Sequence, residues 1–248
     1  GDVCRIATEA GHFLKEERKN FRRESVVEKH AHDYVSYVDK ESEVRIVEAL
    51  SALLPEAGFI TEEGSATYQD EPYCWVIDPL DGTTNYIHDE APYCVCIALR
   101  SRTELLLGVV YEVCRDECFC AWRGGRAFMN GEEIHVSGVR DIKDAFVFAE
   151  LPYNAQQYKQ TALHLIDKLY GVVGGIRMNG SAAAAICYVA MGRFDAWAEA
   201  FLGKWDYSAA ALTVQEAGGR VTDFCGNGHF MDGHHIIATN GYLHSVYQ

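Results

Sequence analysis

The sequence has no apolar run long enough to cross a membrane, and no proline-, glycine- or serine-rich tract that would separate two domains. A transmembrane helix needs about 20 consecutive apolar residues. No signal peptide, basic transit segment or internal repeat is visible. These absences predict a cytoplasmic protein that does not bind membranes. They also predict one domain over residues 1–248, with sub-lobes at roughly 1–140 and 141–248.

Positive charge is also scarce. The 22 Lys and Arg residues face 36 Asp and Glu residues, which gives a formal net charge of −14. This balance argues against nucleic acid or an anionic membrane as a partner. It would also repel an anionic substrate, unless bound cations reverse the local field.

The nine cysteines include no C-x-x-C pair. They lie within apolar segments rather than in the evenly spaced loops of a small disulfide scaffold, so we expect reduced thiols. Cys114, Cys118 and Cys120 are close in sequence, but no fourth ligand lies near them. We therefore predict core or hairpin cysteines and no zinc site.

Hydrophobic spacing predicts helices and strands in alternation. An amphipathic helix is expected over 2–22, an exposed loop or hairpin over 23–33, and a second helix from Asp39 to near Pro55. Predicted strands then cover 59–62, 74–77, 93–100, 105–113, 117–121, 127–129 and 134–136, with a turn at Asn130-Gly131. In the second half, strands are expected at 146–150, 172–177, 195–199 and 236–239, and helices at 155–170, from Ser181, and at 206–217. This alternation indicates a layered α/β architecture.

The most informative segment is 75–85, WVIDPLDGTTN, which carries two carboxylates three residues apart. Pro79 disfavours helix at Asp78, so we expect the strand to end there with Asp78 and Asp81 at its tip. Gly82 allows close backbone approach, and the two threonines that follow suit the first turn of a helix. Hard oxygen ligands beside a helix N-terminus predict a site for metal cations and phosphate.

Three further acids stand at comparable points. Glu62 ends a predicted strand, Asp206 begins the helix after Trp205, and Asp39 begins the second helix. Open α/β sheets place ligand sites at such strand ends and helix starts. Each acid alone would be interpreted as a cap or surface residue, and Asp206 is a good N-cap. Their joint occurrence favours a site.

Two motifs give the chain a resemblance to the inositol monophosphatases, a family of the magnesium-dependent, lithium-sensitive phosphatase superfamily. The segment 78–85, DPLDGTTN, matches the pattern D-P-[IL]-D-G-T-x-N. The segment 205–211, WDYSAAA, with 216–219, EAGG, matches W-D-x-A-A and E-A-G-G, although Ser208 replaces the first alanine. Segments 33–39, 59–63 and 180–183 agree as well, so the resemblance extends from about residue 25 to 240.

The resemblance implies a role for each matching position. Side-chain ligands to metal would be Glu62, Asp78, Asp81 and Asp206, with Leu80 contributing its carbonyl. Thr83 and Glu62 would orient and deprotonate the attacking water, and Asp39 would hold Thr83. The phosphate would be received by the amides of Gly82 and Thr84. The remaining substrate contacts would come from Gly180, Ser181, Ala182, Glu199 and Asp206.

The residue types are consistent with these implied roles. An all-oxygen carboxylate set selects Mg²⁺ or Mn²⁺ over zinc, and two such ions can assist an in-line displacement at phosphorus. No Cys or His stands in the motif as a covalent nucleophile, although an aspartyl phosphoenzyme stays open. The resemblance further implies two or three Mg²⁺ ions per subunit, inhibition by Li⁺, and a homodimer. It implies a layered α/β/α/β/α sandwich of the sugar phosphatase type, with mixed and antiparallel sheets.

Within this resemblance we expect inositol monophosphate as the substrate, because Glu199 resembles the carboxylate that meets vicinal hydroxyls in the family. Fructose 1,6-bisphosphate is second, ahead of 3′-phosphoadenosine 5′-phosphate and histidinol phosphate, and a non-catalytic binding protein is a further alternative. Lys29 lies one residue away from the family's usual lysine, so it is left outside the predicted site. Ser181 replaces a common threonine but keeps the hydroxyl. Lys204 is interpreted as a solvated side chain rather than a ligand for a second phosphate.

Overall fold

The helices and strands follow the predicted alternation, with shifted ends. The computed structural model describes residues 1–30, 33–153, 155–228 and 230–247. The helices are α1 (Asp2–Arg18), α2 (Tyr37–Leu53), α3 (Thr83–His88), α4 (Ala155–Leu169), α5 (Ala182–Ala190) and α6 (Lys204–Glu216). The strands of the first half are β1 (Val27–His30), β2 (Asp33–Val35), β3 (Gly58–Thr61), β4 (Tyr73–Asp81), β5 (Cys94–Ser101), β6 (Leu105–Glu112), β7 (Glu117–Trp122), β8 (Ala127–Met129) and β9 (Glu132–Glu133). Those of the second half are β10 (Phe146–Phe148), β11 (Gly175–Arg177), β12 (Ala196–Ala200), β13 (Arg220–Thr222) and β14 (His235–Thr239).

Two large sheets organise these strands. The seven-stranded sheet runs from β3 to β9 in sequence order; β3 and β4 are parallel and the other neighbours are antiparallel. The five-stranded sheet has the order β11-β10-β12-β14-β13, with parallel pairs around β10 and antiparallel pairs around β14. Strands β1 and β2 form a separate antiparallel pair.

Apolar contacts stack the helices and sheets in five layers. One core joins α1 and α2 to the seven-stranded sheet through residues such as Leu14, Leu50 and Trp75. A second core holds α5 and α6 between the two sheets, and a third joins the last turn of α4 to the outer face of the five-stranded sheet. The predicted α/β/α/β/α sandwich with mixed and antiparallel sheets is therefore confirmed.

Small residues allow the middle layer to pack closely. All nine residues of α5 are buried, and a Cβ added at Gly108 of β6 would lie 2.4 Å from the carbonyl oxygen of Ala209 in α6. The alanine-rich run after Asp206 thus brings α6 onto the sheet that carries the acid motif. None of the helices in the described ranges has the length and apolar character needed to cross a membrane.

The predicted helix starts at Asp39 and Asp206 are wrong. Helix α2 is capped by Ser36, whose hydroxyl accepts the Val38 amide, and Asp39 is the third residue inside the helix. Helix α6 likewise follows Gly203, and Asp206 is its third residue. Each aspartate accepts the amide of its own cap residue, at 2.9 Å from Ser36 and 2.7 Å from Gly203. In α2 this pairing is reciprocal and forms a capping box, whereas Gly203 has no side chain and α6 keeps only the bond from its amide to Asp206.

The predicted end of β4 at Asp78 is also wrong. The strand continues through Pro79 to Asp81, with an irregular register between Asp78 and Asp81. A proline without an N–H is tolerated where a bulge interrupts the ladder. The bulge turns both aspartates toward the same site. The sequence predicts that the two lie together, but at the tip of a strand that ends at Asp78.

Other predicted elements also differ from the structure. Helix α1 ends at Arg18 rather than 22, and the 172–177 strand begins only at Gly175. The predicted strand at 134–136 is absent, because Asn130 and Gly131, both at positive φ, turn the chain so tightly that β9 follows at once. The 23–33 segment contains β1 and the start of β2, while residues 31 and 32 lie outside the described residues.

Candidate active site

Three aspartates converge on one cavity. Carboxylate oxygens of Asp78, Asp81 and Asp206 all lie within 4.8 Å of one another, and Asp78 and Asp81 are buried. The first two come from the bulged end of β4, and the third from the first turn of α6. The cavity has a volume of about 280 Å³.

Glu62 joins this group from the loop after β3. Its carboxylate interacts with that of Asp78, and burial raises the pKa of Glu62 to about 7. The pKa of Asp78 is also raised, first by burial and then by the negative charges of Glu62, Asp81 and Asp206. Burial disfavours the charged form of these carboxylates, so an all-oxygen donor set of this kind fits a hard divalent cation, which would stabilise the charged form.

The loop that carries Glu62 is fixed by helix α2. Glu43 of α2 is buried and accepts the backbone amides of Glu63 at 2.7 Å and Ser65 at 2.8 Å. Buried carboxylates that accept several amides are well satisfied. Glu43 is thus a positioning residue, and its helical spacing in the sequence gave no sign of this long-range contact.

Lys29 belongs to the site, although sequence spacing placed it outside. Its ammonium lies 3.2 Å from Glu62 Oε1 and 2.6 Å from Glu63 Oε1. The pairing of β1 with β2 shifts register between Glu28 and His30, so Lys29 lies at an irregular point of the strand pair. Lys29 partly offsets the acid set, since its charge opposes the rise in the Glu62 pKa.

Thr83 forms a chain of polar contacts with Asp39 and Ser36. The Thr83 hydroxyl lies 3.2 Å from Asp39 Oδ1 and 3.0 Å from the Leu80 carbonyl oxygen. Asp39 Oδ2 accepts the Ser36 amide at 2.9 Å and the Ser36 hydroxyl at 2.7 Å. Burial raises the pKa of Asp39, and these hydrogen bonds oppose the rise. The arrangement gives Thr83 an anchored carboxylate as a proton acceptor.

Backbone geometry brings the start of α3 to the cavity. Gly82 has φ 88°, and a Cβ there would lie 2.9 Å from the carbonyl oxygen of Pro92. Only glycine suits both constraints. Gly82 and Thr84 line the cavity beside the acids, and the first-turn amides of a helix have no intrahelical acceptor.

The N-terminus of α5 faces Asp81. Asp81 Oδ2 accepts the Ser181 hydroxyl and the Ala183 amide, the latter at 3.0 Å. Burial raises the pKa of Asp81 to about 6, while these bonds oppose the rise. Ser181 is buried and caps α5 by accepting the Ala184 amide. Ser181 therefore orients Asp81 in addition to bordering the cavity.

Asn85 connects the acid motif to the second half of the chain. Its side-chain amide donates to the carbonyl oxygens of Pro92 at 2.8 Å and Asn179 at 2.7 Å. The next residue, Gly180, has φ 74°, and a Cβ there would lie 2.9 Å from Asn85 Oδ1. The motif's asparagine thus positions the loop that leads into α5, a role that the sequence did not suggest.

The far wall of the cavity carries two more carboxylates, Glu199 of β12 and Glu150, which follows β10. Burial raises the pKa of both, that of Glu150 to about 6. Sequence reasoning missed Glu150, although it ends the predicted strand at 146–150. Lys204 is held elsewhere, with its ammonium 2.6 Å from Asp232.

Nearly all the predicted site residues meet at this cavity. Asp39 is the exception, because it lies behind Thr83 and reaches the cavity only through that hydroxyl. The predicted residues that line the cavity are Glu62, Asp78, Leu80, Asp81, Gly82, Thr83, Thr84, Gly180, Ser181, Ala182, Glu199 and Asp206. Their roles toward metal and substrate remain predictions.

A family model described as the inositol monophosphatase family matches residues 3–247. The chain belongs to this family. It is 39% identical over 243 residues to Nus factor SuhB of Pseudomonas aeruginosa, covering 96% of this chain and 90% of the relative. It is 35% identical over 239 residues to inositol-1-monophosphatase of Mesorhizobium japonicum, with the same two coverages. The solved structure of extragenic suppressor protein suhB from Bartonella henselae matches with a TM-score of 0.91 and 36% identity, covering 98% of this chain and 94% of that one.

Proposed function

We propose that the protein is a magnesium-dependent phosphomonoester hydrolase that releases phosphate from inositol monophosphate. The observation that carries the proposal is the convergence of Asp78, Asp81 and Asp206 within 4.8 Å. A relative named inositol-1-monophosphatase supports the substrate class.

Magnesium would be held by carboxylates of Glu62, Asp78, Asp81 and Asp206 and by the Leu80 carbonyl, in two or three sites. Bound there, Mg²⁺ would supply Lewis-acid activation of water and stabilisation of the leaving oxygen. The residues fit this group because they offer oxygen ligands only, and because burial raises their pKa values, so that a bound cation would offset the cost of burying their charged forms. Each carboxylate is already oriented by a hydrogen bond or ion pair from the surrounding structure, such as Lys29 on Glu62 and Ser181 on Asp81.

Thr83 would orient the attacking water together with Glu62. Its hydroxyl can accept from that water while donating to Asp39 Oδ1, 3.2 Å away. Asp39 would then hold the negative charge that favours proton movement toward Thr83. The phosphate would be bound by the free amides of Gly82 and Thr84 at the start of α3.

Monophosphate esters suit the cavity better than bisphosphates. Its described lining includes no Lys, Arg or His. Lys204, the side chain that could have bound a second phosphate, pairs with Asp232, which also pairs with Arg100 at 3.0 Å. A second phosphate would therefore meet the carboxylates of Glu150 and Glu199 without a counter-charge.

The test is phosphate release from inositol 1-phosphate, fructose 1,6-bisphosphate and 3′-phosphoadenosine 5′-phosphate, with Mg²⁺ and with EDTA. We expect magnesium-dependent release that is fastest from inositol 1-phosphate, and inhibition by millimolar Li⁺. A clear preference for either bisphosphate would reject the substrate assignment. The resemblance also supports a homodimer, which light scattering of the purified protein would test.

The relatives named Nus factor SuhB support a second candidate, a role as a Nus factor. Such a role would use a binding surface rather than the acid cavity. The Asp81→Asn variant separates the two proposals in cells that lack their own Nus factor SuhB. Complementation by this variant as good as that by the wild type would favour the second candidate, provided the variant folds.

A further inference from the structure

Three cysteine side chains meet where helix α1 crosses strand β7. Cys118 and Cys120 are two residues apart in β7, so their side chains point to the same face of the sheet. Cys4 lies in the first turn of α1, and its thiol interacts with both of theirs. All three side chains are partly buried against the core that joins α1 and α2 to the sheet. None of them belongs to the described lining of the acid cavity.

Contacts farther along α1 fix this crossing. Thr8, one turn after Cys4, also interacts with the Cys118 thiol. Gly11 packs so closely on Tyr111 that an added Cβ would overlap the ring, and Tyr111 of β6 is the register partner of Cys118. Successive turns of α1 therefore contact β7 and then β6. The packing of a whole helix, and not a chance approach of side chains, holds the thiols together.

The three thiols differ in character. Interactions with Cys118 and then Cys120 lower the pKa of Cys4, and the interaction with Cys4 raises the pKa of each of the other two. A position in the first turn of a helix also favours a thiolate, because the free amides there carry partial positive charge. Cys4 is thus the nucleophile of the group, with two protonated thiols beside it.

The spacing of the three sulfurs suits a disulfide better than a metal ion. A shared zinc ion at about 2.3 Å from each sulfur would bring the sulfurs to within about 4 Å of one another. Among the residues that the structure describes, only Asp78, Asp81 and Asp206 offer three carboxylate, imidazole or thiol ligand atoms within 4.8 Å of one another. Cys4 instead has two alternative partners for a bond between two sulfurs, and all three thiols are free in the structure.

We propose that Cys4 is a peroxide-sensitive thiol that forms a reversible disulfide with Cys118 or Cys120 and so links α1 covalently to β7. This inference does not depend on the proposed hydrolase function. The Cys4 thiolate attacks one oxygen of hydrogen peroxide, the O–O bond breaks and hydroxide leaves, which gives a sulfenic acid. The thiol of Cys118 or Cys120 then attacks the sulfenic sulfur; the S–S bond forms, the S–O bond breaks, and water leaves with the thiol proton. Two thiols are oxidised, the peroxide is reduced, and a dithiol reductant reverses the bond by thiol–disulfide exchange.

Peptide mapping locates the bond. Wild type, diluted to suppress links between molecules, is treated with equimolar hydrogen peroxide, alkylated with iodoacetamide and digested with trypsin. Trypsin leaves Cys4 on the peptide that ends at Arg5, and leaves Cys118 and Cys120 together on the peptide 116–123. We expect mass spectrometry to find these two peptides joined in most of the oxidised protein, and separate after dithiothreitol.

Cysteine variants identify the partner. Cys118→Ser should still join the peptides through Cys120, and Cys120→Ser should join them through Cys118. The exposed Cys225→Ser is the control and should behave as wild type does. Because the bond closes a long loop, the oxidised wild type should unfold on the order of 5 °C above the reduced protein, a shift that Cys4→Ser should lack.

Cys4 that is alkylated as fully after peroxide treatment as before it would overturn the proposal. So would oxidation of Cys4 to a sulfinic acid without joined peptides, or a wild-type bond between Cys118 and Cys120, because Cys4 would then take no part in a disulfide. Joined peptides without a rise in unfolding temperature would reject the claim that the bond fixes α1 on the sheet.

Discussion

At the scale of single residues, Asp78 is the most informative side chain. Its pKa is raised by burial and by three neighbouring carboxylates, so its charged form costs stability at neutral pH in the absence of a cation. We predict that Asp78→Asn unfolds at a higher temperature than wild type in EDTA, since an amide keeps the acceptor for the Leu80 amide at 2.9 Å and removes the repulsion. Saturating Mg²⁺ should reverse the order, because a ligand at 100 times its Kd stabilises the folded wild type by about 2.7 kcal/mol.

Thermal unfolding with and without Mg²⁺ measures this directly, with the exposed Asp144→Asn as a control that should follow wild type. If the wild type unfolds at the same temperature in EDTA as in Mg²⁺, the assignment of these carboxylates as metal ligands is contradicted.

Thr83 offers a second prediction about a single side chain. Thr83→Ala removes the hydroxyl between Asp39 and the cavity, so kcat should fall by about 10²- to 10⁴-fold with little change in KM. Thr83→Ser keeps the hydroxyl and should retain most of the activity. Steady-state kinetics on inositol 1-phosphate distinguishes the two variants. Equal losses in both would indicate that the methyl group, through packing, matters more than the hydroxyl.

His244 gives a prediction about pH and stability that is independent of the cavity. Burial, then the charge of Arg220, lowers its pKa from 6.5 to about 4, and its ring lies between the hydroxyls of Thr222 and Thr239 at 2.8 and 2.9 Å. A histidine whose pKa is lower in the folded state than in the unfolded state lowers the free energy of unfolding once the unfolded chain takes up the proton. The contribution of His244 to stability should therefore be constant above pH 6.5 and fall as the pH is lowered from 6.5 to about 4.

Denaturant unfolding of wild type and His244→Asn over this pH range tests the prediction. The His244→Asn variant should be less stable than wild type at neutral pH, because it loses buried contacts. It should nevertheless lack the part of the acid-induced loss of stability that His244 contributes. Parallel pH profiles for the two proteins would contradict the prediction.

At the scale of secondary-structure elements, the helix starts position the site. Ser36 caps α2 and also donates to Asp39, so one side chain serves both stability and the Thr83 contact. We predict that Ser36→Ala lowers the free energy of unfolding by about 1 kcal/mol. It should also reduce kcat several-fold, because Asp39 loses one of the bonds that hold it. Asp141→Ala removes the cap of a short 3₁₀ helix, Ile142–Asp144, that does not line the cavity, and should leave kcat unchanged. An unchanged kcat in Ser36→Ala would show that the remaining bonds suffice.

The sequence predicted the existence of most elements correctly but misjudged how they begin and end near the site. Hydrophobic spacing locates α1, α2 and β5 because it reflects which face is buried. Hydrophobic spacing does not decide whether Ser36 or Asp39 is the N-cap of α2, since both residue types are good N-caps. Pro79 predicts a strand end at Asp78. In the structure the proline lies in a bulge, and the strand continues to Asp81. Local rules left both outcomes open, and tertiary packing decided between them.

At the scale of the whole molecule, the site depends on contacts between residues distant in sequence. The motif residues 78–85 were recognisable because they are contiguous, and Asp206 because its own motif accompanies it. Glu43, Lys29 and Glu150 have no such motif, and each reaches the site only through the packing of α2, β1 or β10. The order of the five layers likewise came from family resemblance, since strand order depends on pairings that periodicity does not contain. A single domain over 1–248 stays a prediction, which coincident unfolding transitions of both sheets would support.

The most direct test of the central claim is a magnesium titration of phosphate release from inositol 1-phosphate by wild type and Asp81→Asn. The account predicts no release in EDTA, a saturable increase with Mg²⁺ for wild type, and no increase for the folded variant over the same range. Release by wild type that persists in EDTA, or a folded Asp81→Asn that responds to Mg²⁺ as wild type does, would contradict the account.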